Sequence, residues 1–269
     1  MKTYFRALTI AGSDSGGGAG IQADLKTFSA LGVFGMSAIT ALTAQNTRVV
    51  TGIFPAPPEF IARQIDTVLE DIGTDGVKIG MLHSPEVIEA VADRLAHWKC
   101  TNIVLDPVMI SKSGDKLLLD NAIQALKTKL IPLADIITPN LPEASVLLGR
   151  DVTGYRDMEE AVRDLAALGC PNVLLKGGHL EEEKIRDLLF QARSGTLTEL
   201  PAQRIHTPNS HGTGCTLSSA VCAFLARGMD LETAVKNANT YIHGALKAGA
   251  GYKIGKGHGP VKHFYDIWP

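Results

Sequence analysis

A charge excess of either sign is absent from this 269-residue sequence: 26 basic and 28 acidic residues leave a formal charge of -2, and like charges never run to five. Without a basic stripe or an acidic tract, nothing points to nucleic acid or a membrane surface as partner. Long apolar runs are missing too, since none nears the roughly 18 residues of a spanning helix. The first, Ala7 to Ala11, meets Asp14 too soon to be a secretory core and is expected to be a buried first strand of a cytoplasmic protein. Cysteine is sparse, and Cys100, Cys170, Cys215 and Cys222 show no C-x-x-C spacing. That argues against a disulfide scaffold or a zinc site and leaves reduced thiols as the expectation. No repeat, low-complexity tract or long linker divides the chain, so residues 1–269 are expected to form one domain.

What the sequence does contain is alternation. Short β-rich runs alternate with amphipathic segments of helical length, the pattern of βαβ units around a mainly parallel sheet. Strands are expected at 7–12, 37–43, 49–54, 77–82, 102–107, 135–139 and 172–177, with weaker signals at 187–191 and 203–206. Helices are expected at 20–31, 58–72, 85–98, 120–130, 142–148, 158–168, 214–226 and 230–248. Pro58, Pro85 and Pro142 fall in first turns, where a missing N–H costs nothing, and Ser84 and Asp157 are the expected N-caps.

Two glycine-rich segments stand out. Gly12-Ser-Asp-Ser-Gly16-Gly-Gly-Ala-Gly20 joins a strand to a helix, which puts it at the carboxyl edge of the sheet, where open α/β folds place ligands. It is neither common phosphate loop: the dinucleotide fingerprint counted from Gly16 needs glycine at Ile21, and the Walker A spacing from Gly12 continues with Gly18 and Ala19. A flexible turn needing positive φ explains the glycines equally well, whereas Asp14 and Asp24 favour ligand contact. The second segment, His211-Gly-Thr-Gly-Cys-Thr216, opens the helical run Leu217 to Leu225. Small residues at a helix start leave N–H groups pointing outward beside the positive end of the dipole, which makes an anion hole. A cysteine at such a terminus can have its pKa lowered from about 8.5 toward neutrality, so Cys215 is a candidate base. A capped helix with a buried small thiol is the alternative. Cys222, seven residues on, reads as core.

Further polar residues stand at strand ends. Asp106 closes the run from Ile103, and Asn140 and Glu143 follow Ile136-Ile-Thr-Pro139. Hard cations prefer carboxylates and water, so Asp106 and Glu143 together suit a nucleotide-bound Mg²⁺, although each alone is equally a cap. Lys176 precedes Gly177 and Gly178 and can reach a phosphate from its strand end, or simply face solvent.

Taken together, Ala11-Gly-Ser-Asp-Ser-Gly-Gly-Gly-Ala-Gly20 through Phe28, Val77 to Leu82, Asp106-Pro-Val-Met109, Thr138 to Ala144, Val173-Leu-Leu-Lys-Gly-Gly-His179, His211 to Ser218 and Gly257-His-Gly-Pro-Val261 resemble, across nearly the whole chain, the hydroxymethylpyrimidine and phosphomethylpyrimidine kinases of thiamine synthesis, in the ribokinase-like superfamily. The resemblance implies a three-layer αβα fold with a central, mainly parallel sheet, ATP and Mg²⁺ as cofactors, a small-molecule substrate and a homodimer. It implies two successive phosphoryl transfers, to hydroxymethylpyrimidine and then to its monophosphate. It assigns Gly12, Asp24, Gln45, Met81 and Val108 to the pyrimidine pocket, Asn140 and Glu143 to the magnesium and phosphate element, Lys176 to a phosphate, and Gly212, Thr213 and Gly214 to the anion hole. Cys215 stands where many ribokinase-like sugar kinases keep an aspartate base. Vitamin B6 kinases of this background tend to carry a second cysteine after the Asp-Pro-Val-Met element, where this chain reads Ile110-Ser-Lys112, so the pyrimidine is the expected substrate. The rival readings are a pyridoxine or pyridoxal kinase and a catalytically silent sensor of the pyrimidine or ATP. Gly251 to Gly255 reads as a short extension ahead of the Gly257 element.

Overall fold

The structure, a computed structural model, describes residues 2–109, 117–119, 121–178 and 184–268. Strands β1 (Arg6–Asp14), β2 (Phe34–Gln45), β3 (Val50–Pro55), β4 (Gly76–Ile79), β5 (Ile103–Leu105), β6 (Ile136–Ile137), β7 (Asn172–Leu175), β8 (Lys184–Gln191) and β9 (Thr196–Gln203) form a nine-stranded sheet. Its order is β3-β2-β1-β4-β5-β6-β7-β8-β9. The pairs from β2 across to β7 are parallel, whereas β3, β8 and β9 join through antiparallel pairs at the two edges.

Alternate side chains of the parallel strands bury on opposite faces, because successive residues of a strand point to opposite sides. Leu8, Ile10, Val77, Ile79, Ile103, Leu105, Val173 and Leu175 pack under α2 (Pro58–Asp71), α3 (Pro85–His97), α5 (Leu141–Leu148) and α6 (Tyr155–Ala166). Ala7, Val104, Ile136, Leu174 and Leu189 pack under α1 (Gly20–Ala30), α7 (Thr213–Ala226) and α8 (Leu231–Gly249). These are the three expected αβα layers. A short helix, α4 (Ala122–Ala125), continues through a π-helical turn over Leu126–Leu130 and a tight turn over Ile131–Leu133 before β6. Among the described residues no helix is long and apolar enough to cross a membrane.

Some boundaries differ from the sequence reading. The strand expected at 203–206 lies instead at Thr196–Gln203, where it closes a hairpin with β8; Pro201 is tolerated because β9 is the edge strand. Ser84 caps α3 by accepting from the Val87 amide, as expected. Asp157 does not cap α6: the helix starts earlier, after Gly154, and Asp157 in its first turn accepts from the Thr153 and Gly154 amides. Strand β1 continues to Asp14, so Gly12 is a strand residue and only Ser15 to Ala19 form the loop. Asp120, the expected start of the fourth helix, and Ile110-Ser-Lys112 lie outside the described residues.

Candidate active site

The strand order reverses at β1, with β2 on one side and β4 on the other, so the carboxyl ends of β1, β4, β5, β6 and β7 open onto one crevice. Both glycine-rich segments meet there. The Asp14 carboxylate accepts from the amides of Gly16 (2.8 Å), Gly18 (3.0 Å) and Ala19 (2.9 Å) and lies 2.8 Å from His211 Nε2. Burial would raise its pKa, but the hydrogen bond and charge of His211 together with the loop amides outweigh it and hold Asp14 below the usual carboxylate value. Asp14, which is buried, thus organises the loop from within.

Close approach explains the glycines. A side chain on Gly18 would enter the His211 ring, and one on Gly212, whose φ is 77°, would collide with the Gly18 carbonyl oxygen. The two segments therefore define each other's shape. Gly212→Ala adds left-handed strain of about 1–2 kcal/mol to that collision, so its thermal unfolding midpoint should fall well below wild type. An unchanged midpoint would contradict the packing described. The segment after α8 braces the same region: His211 N donates to Gly259 O (2.9 Å), and His258 N donates to Thr47 O (2.8 Å) in the β2–β3 turn.

Gly212 is the N-cap of α7. The Thr213 amide turns back to the Ser210 carbonyl (3.4 Å), as does its hydroxyl (2.7 Å). Among the described residues the amides of Gly214 and Cys215 meet no acceptor. The open donors are therefore one residue further along than expected, because the first turn folds Thr213 back on the loop.

Lys176, at the end of β7, sits against this terminus; a Cβ on Gly214 would lie 3.4 Å from its ammonium. That ammonium is 3.0 Å from Asp106 Oδ1 and 4.0 Å from Glu143 Oε2. Thr138 and Ser218 also donate to Asp106, at 3.2 and 3.4 Å. Asn140 and Glu143 form a reciprocal capping box on α5, each contact 2.8 Å. Burial, with the Asp106 charge added, pushes Glu143 up to about 7 against the opposing pull of Lys176 and Asn140. Burial would lower Lys176, yet Asp106 and Glu143 more than offset it and keep the ammonium charged. Two nearly buried carboxylates sharing one ammonium are a donor set that a hard cation fits, its remaining ligands being water and phosphate oxygens. No group of three or more His, Cys, Asp or Glu that could hold a metal occurs among the described residues.

Beside this polar cluster lies an apolar wall. Met81 and Val108 pack with Ala41, Ile53 and Leu117, apart from the two main cores. A Cβ on Gly12 would stand 3.0 Å from Met81 Sδ, so Gly12 keeps the wall open. Gln45 sits against the glycine-rich loop: Thr43 donates to its Oε1 (3.1 Å), and its Nε2 is 3.4 Å from His211 Nε2. Gly12, Met81 and Val108 thus lie together, and Gln45 lies on the loop side, against His211. Asp24 is not among them. It is fully buried, accepting from Thr9 (2.6 Å), from Ser219 (2.7 Å) and from Lys78 with both oxygens (2.9 Å each).

The Cys215 thiol is pushed up to about 11: burial dominates, Asp24 and Asp106 add to it, and Lys78 and the Gly20 amide oppose it. The expected lowering toward neutrality is overturned, because the dipole at the start of α7 is outweighed by burial and two carboxylates. Lys78 and the Asp14–His211 pair were not singled out by motif; the available signal for Lys78 was a charge inside the otherwise apolar run of β4.

The family model described as phosphomethylpyrimidine kinase matches residues 14–262. The chain belongs to this family. It is 51% identical to the hydroxymethylpyrimidine/phosphomethylpyrimidine kinase of Rhizobium meliloti over 97% of this chain and 98% of that one. Among solved structures, the phosphomethylpyrimidine kinase of Clostridium difficile 630 is similar with a TM-score of 0.80 and 45% identity, over 90% of this chain and 99% of that one. An ADP complex of Bacillus subtilis pyridoxal kinase is similar with a TM-score of 0.89 and 41% identity, over 97% and 98%. The family and the phosphotransferase fold agree with the expectation from the motifs.

Proposed function

We propose that this chain is a cytoplasmic hydroxymethylpyrimidine and phosphomethylpyrimidine kinase, a single kinase domain over residues 1–269 that uses ATP and Mg²⁺ in thiamine biosynthesis. It transfers a phosphoryl group to 4-amino-5-hydroxymethyl-2-methylpyrimidine and then another to the monophosphate. The observation that carries this reading is the meeting of the open Gly214 and Cys215 amides with Lys176, Asp106 and Glu143 beside the Met81 wall. Phosphoryl transfer demands positioning and charge neutralisation more than covalent chemistry, and this arrangement supplies both.

The flat ring lies against Met81 and Val108, with Gly12 leaving room and Gln45 offering an amide to its polar edge. The hydroxymethyl oxygen attacks the γ-phosphorus of ATP in line, ADP leaves, and the hydroxyl proton passes to the Cys215 thiolate. Amides at the start of α7 and the Lys176 ammonium hold the phosphoryl oxygens. Asp106 and Glu143 are the residues to hold Mg²⁺, which would neutralise phosphate charge; Asn140 keeps Glu143 in place through the capping box. Free Cys100, Cys170, Cys215 and Cys222 support the cytoplasmic assignment.

The homodimer is supported by the β2–β3 edge, which leaves Leu42 and Phe54 exposed, Phe54 by 71%. Phe54→Asp should lower the sedimentation coefficient from that of a dimer to that of a monomer; a monomeric wild type would contradict the assignment.

Initial rates of ADP release with Mg-ATP and either hydroxymethylpyrimidine or pyridoxine test the function. The pyrimidine should give the higher kcat/KM. Turnover of pyridoxine alone would make this a vitamin B6 kinase, and ligand-induced thermal stabilisation without ADP release would make it a sensor.

A further inference from the structure

Lys78 is fully buried on β4, beside Thr9 of β1 in the parallel register, on the sheet face that α1 and α7 cover. Its neighbours on that face are Ala7 and Val104, so an apolar residue would be the ordinary occupant. Its ammonium meets Asp24 of α1 at 2.9 Å, and Asp24 is held in turn by Thr9 and by Ser219 of α7. A buried ion pair is seldom worth more than well-packed apolar residues of the same volume, so stability alone does not account for it.

Position does. Gly80 follows Lys78 by two residues on the same face, and a Cβ there would lie 2.9 Å from the Lys78 ammonium. The side chain therefore leans toward the carboxyl edge of the sheet, which is the active-site edge. Ser219 is one helical turn beyond Cys215, so the Asp24 network and the thiol share a face of α7. The charged groups around the thiol are Asp24 from α1, Lys78 from β4, Asp106 after β5 and Lys176 after β7. Burial would discharge Lys78, but Asp24, Cys215 and Asp106 keep it protonated.

We propose that Lys78 is a positioning residue: clamped by Asp24, its buried ammonium is a fixed positive charge beneath the start of α7 that sets the reactivity of Cys215. This rests on the kinase reading for its purpose, but not for its test. The carboxylate and the ammonium act on the thiol with opposite signs, so Lys78→Met and Asp24→Asn should move it in opposite directions.

The measurement is the pH profile of Cys215 alkylation by iodoacetamide, followed on the Cys215 peptide by mass spectrometry with no nucleotide or substrate present. Lys78→Met should shift the profile to higher pH and slow labelling at pH 8 by roughly tenfold, whereas Asp24→Asn should shift it lower and speed labelling, since one pKa unit is a tenfold change in thiolate. A purely structural pair would loosen α7 in both variants and speed labelling in both; that result, or no shift in either, overturns the proposal. Should Lys78→Met fail to fold, the pH profile of Asp24→Asn decides alone: a midpoint moved to lower pH supports the assignment, whereas faster labelling with an unmoved midpoint, or slower or unchanged labelling, contradicts it. Loss of kinase activity plays no part in this readout, so failure of the kinase reading is seen separately, in the absence of ADP release by wild type.

Discussion

A Cys215→Ala variant should lose about 10² to 10⁴ of its turnover with hydroxymethylpyrimidine while keeping its affinity for Mg-ATP, the range that general-base assistance supplies. With the thiol pushed up to about 11, only a small fraction is thiolate near neutrality, but that fraction is a strong base. The sign follows: deprotonation increases as pH rises, so wild-type kcat/KM for the alcohol should climb between pH 7 and 9, and the gap between wild type and Cys215→Ala should widen over the same range. In the second transfer the acceptor is a phosphate with a second pKa of about 6, largely ionised already. Cys215→Ala should therefore damage the second step less than the first. Equal damage to both, or a pH-independent gap, would contradict the assignment of Cys215 as base.

Removing Lys176 should hurt both steps and the fold. Its ammonium is the counter-charge to Asp106 and Glu143, which are 2% and 8% exposed. Breaking a buried pair by removing one partner typically costs about 3–5 kcal/mol, because it strands the other charge. Lys176→Met should thus lower the unfolding midpoint, raise Glu143 further and reduce turnover by about 10² or more, the usual effect of losing one donor to developing phosphoryl charge. In the double variant Asp106→Asn/Lys176→Met the Asp106 charge is gone and Glu143, raised further, takes up a proton, so most of the stability should return without turnover. Recovery of both would reduce Lys176 to a structural cation.

The layers of this fold were legible in the sequence because parallel strands and amphipathic helices differ in period, and Val77, Ile79, Val104 and Leu105 carry that signal. Edges were harder. β9 contains Pro201 and only one buried residue, Leu200, so it reads as loop until its pairing with β8 is seen. In the site, Asn140, Glu143, Lys176 and Asp106 were legible as strand-end polar residues, and the structure brings them together. What spacing does not reveal is which acids are already bound. Asp14 and Asp24 read as ligand contacts but are saturated by His211, the loop amides, Thr9, Ser219 and Lys78. Nor does a helix start reveal its net electrostatics: the dipole favours a low pKa at Cys215, and burial reverses it.

The central claim is tested most directly by a time course of hydroxymethylpyrimidine with excess Mg-ATP and purified protein, its products resolved by mass spectrometry. The account requires the monophosphate to rise first and then be consumed as the diphosphate accumulates. A monophosphate that persists unchanged, or a pyrimidine left unphosphorylated beside a phosphorylated pyridoxine, would contradict it.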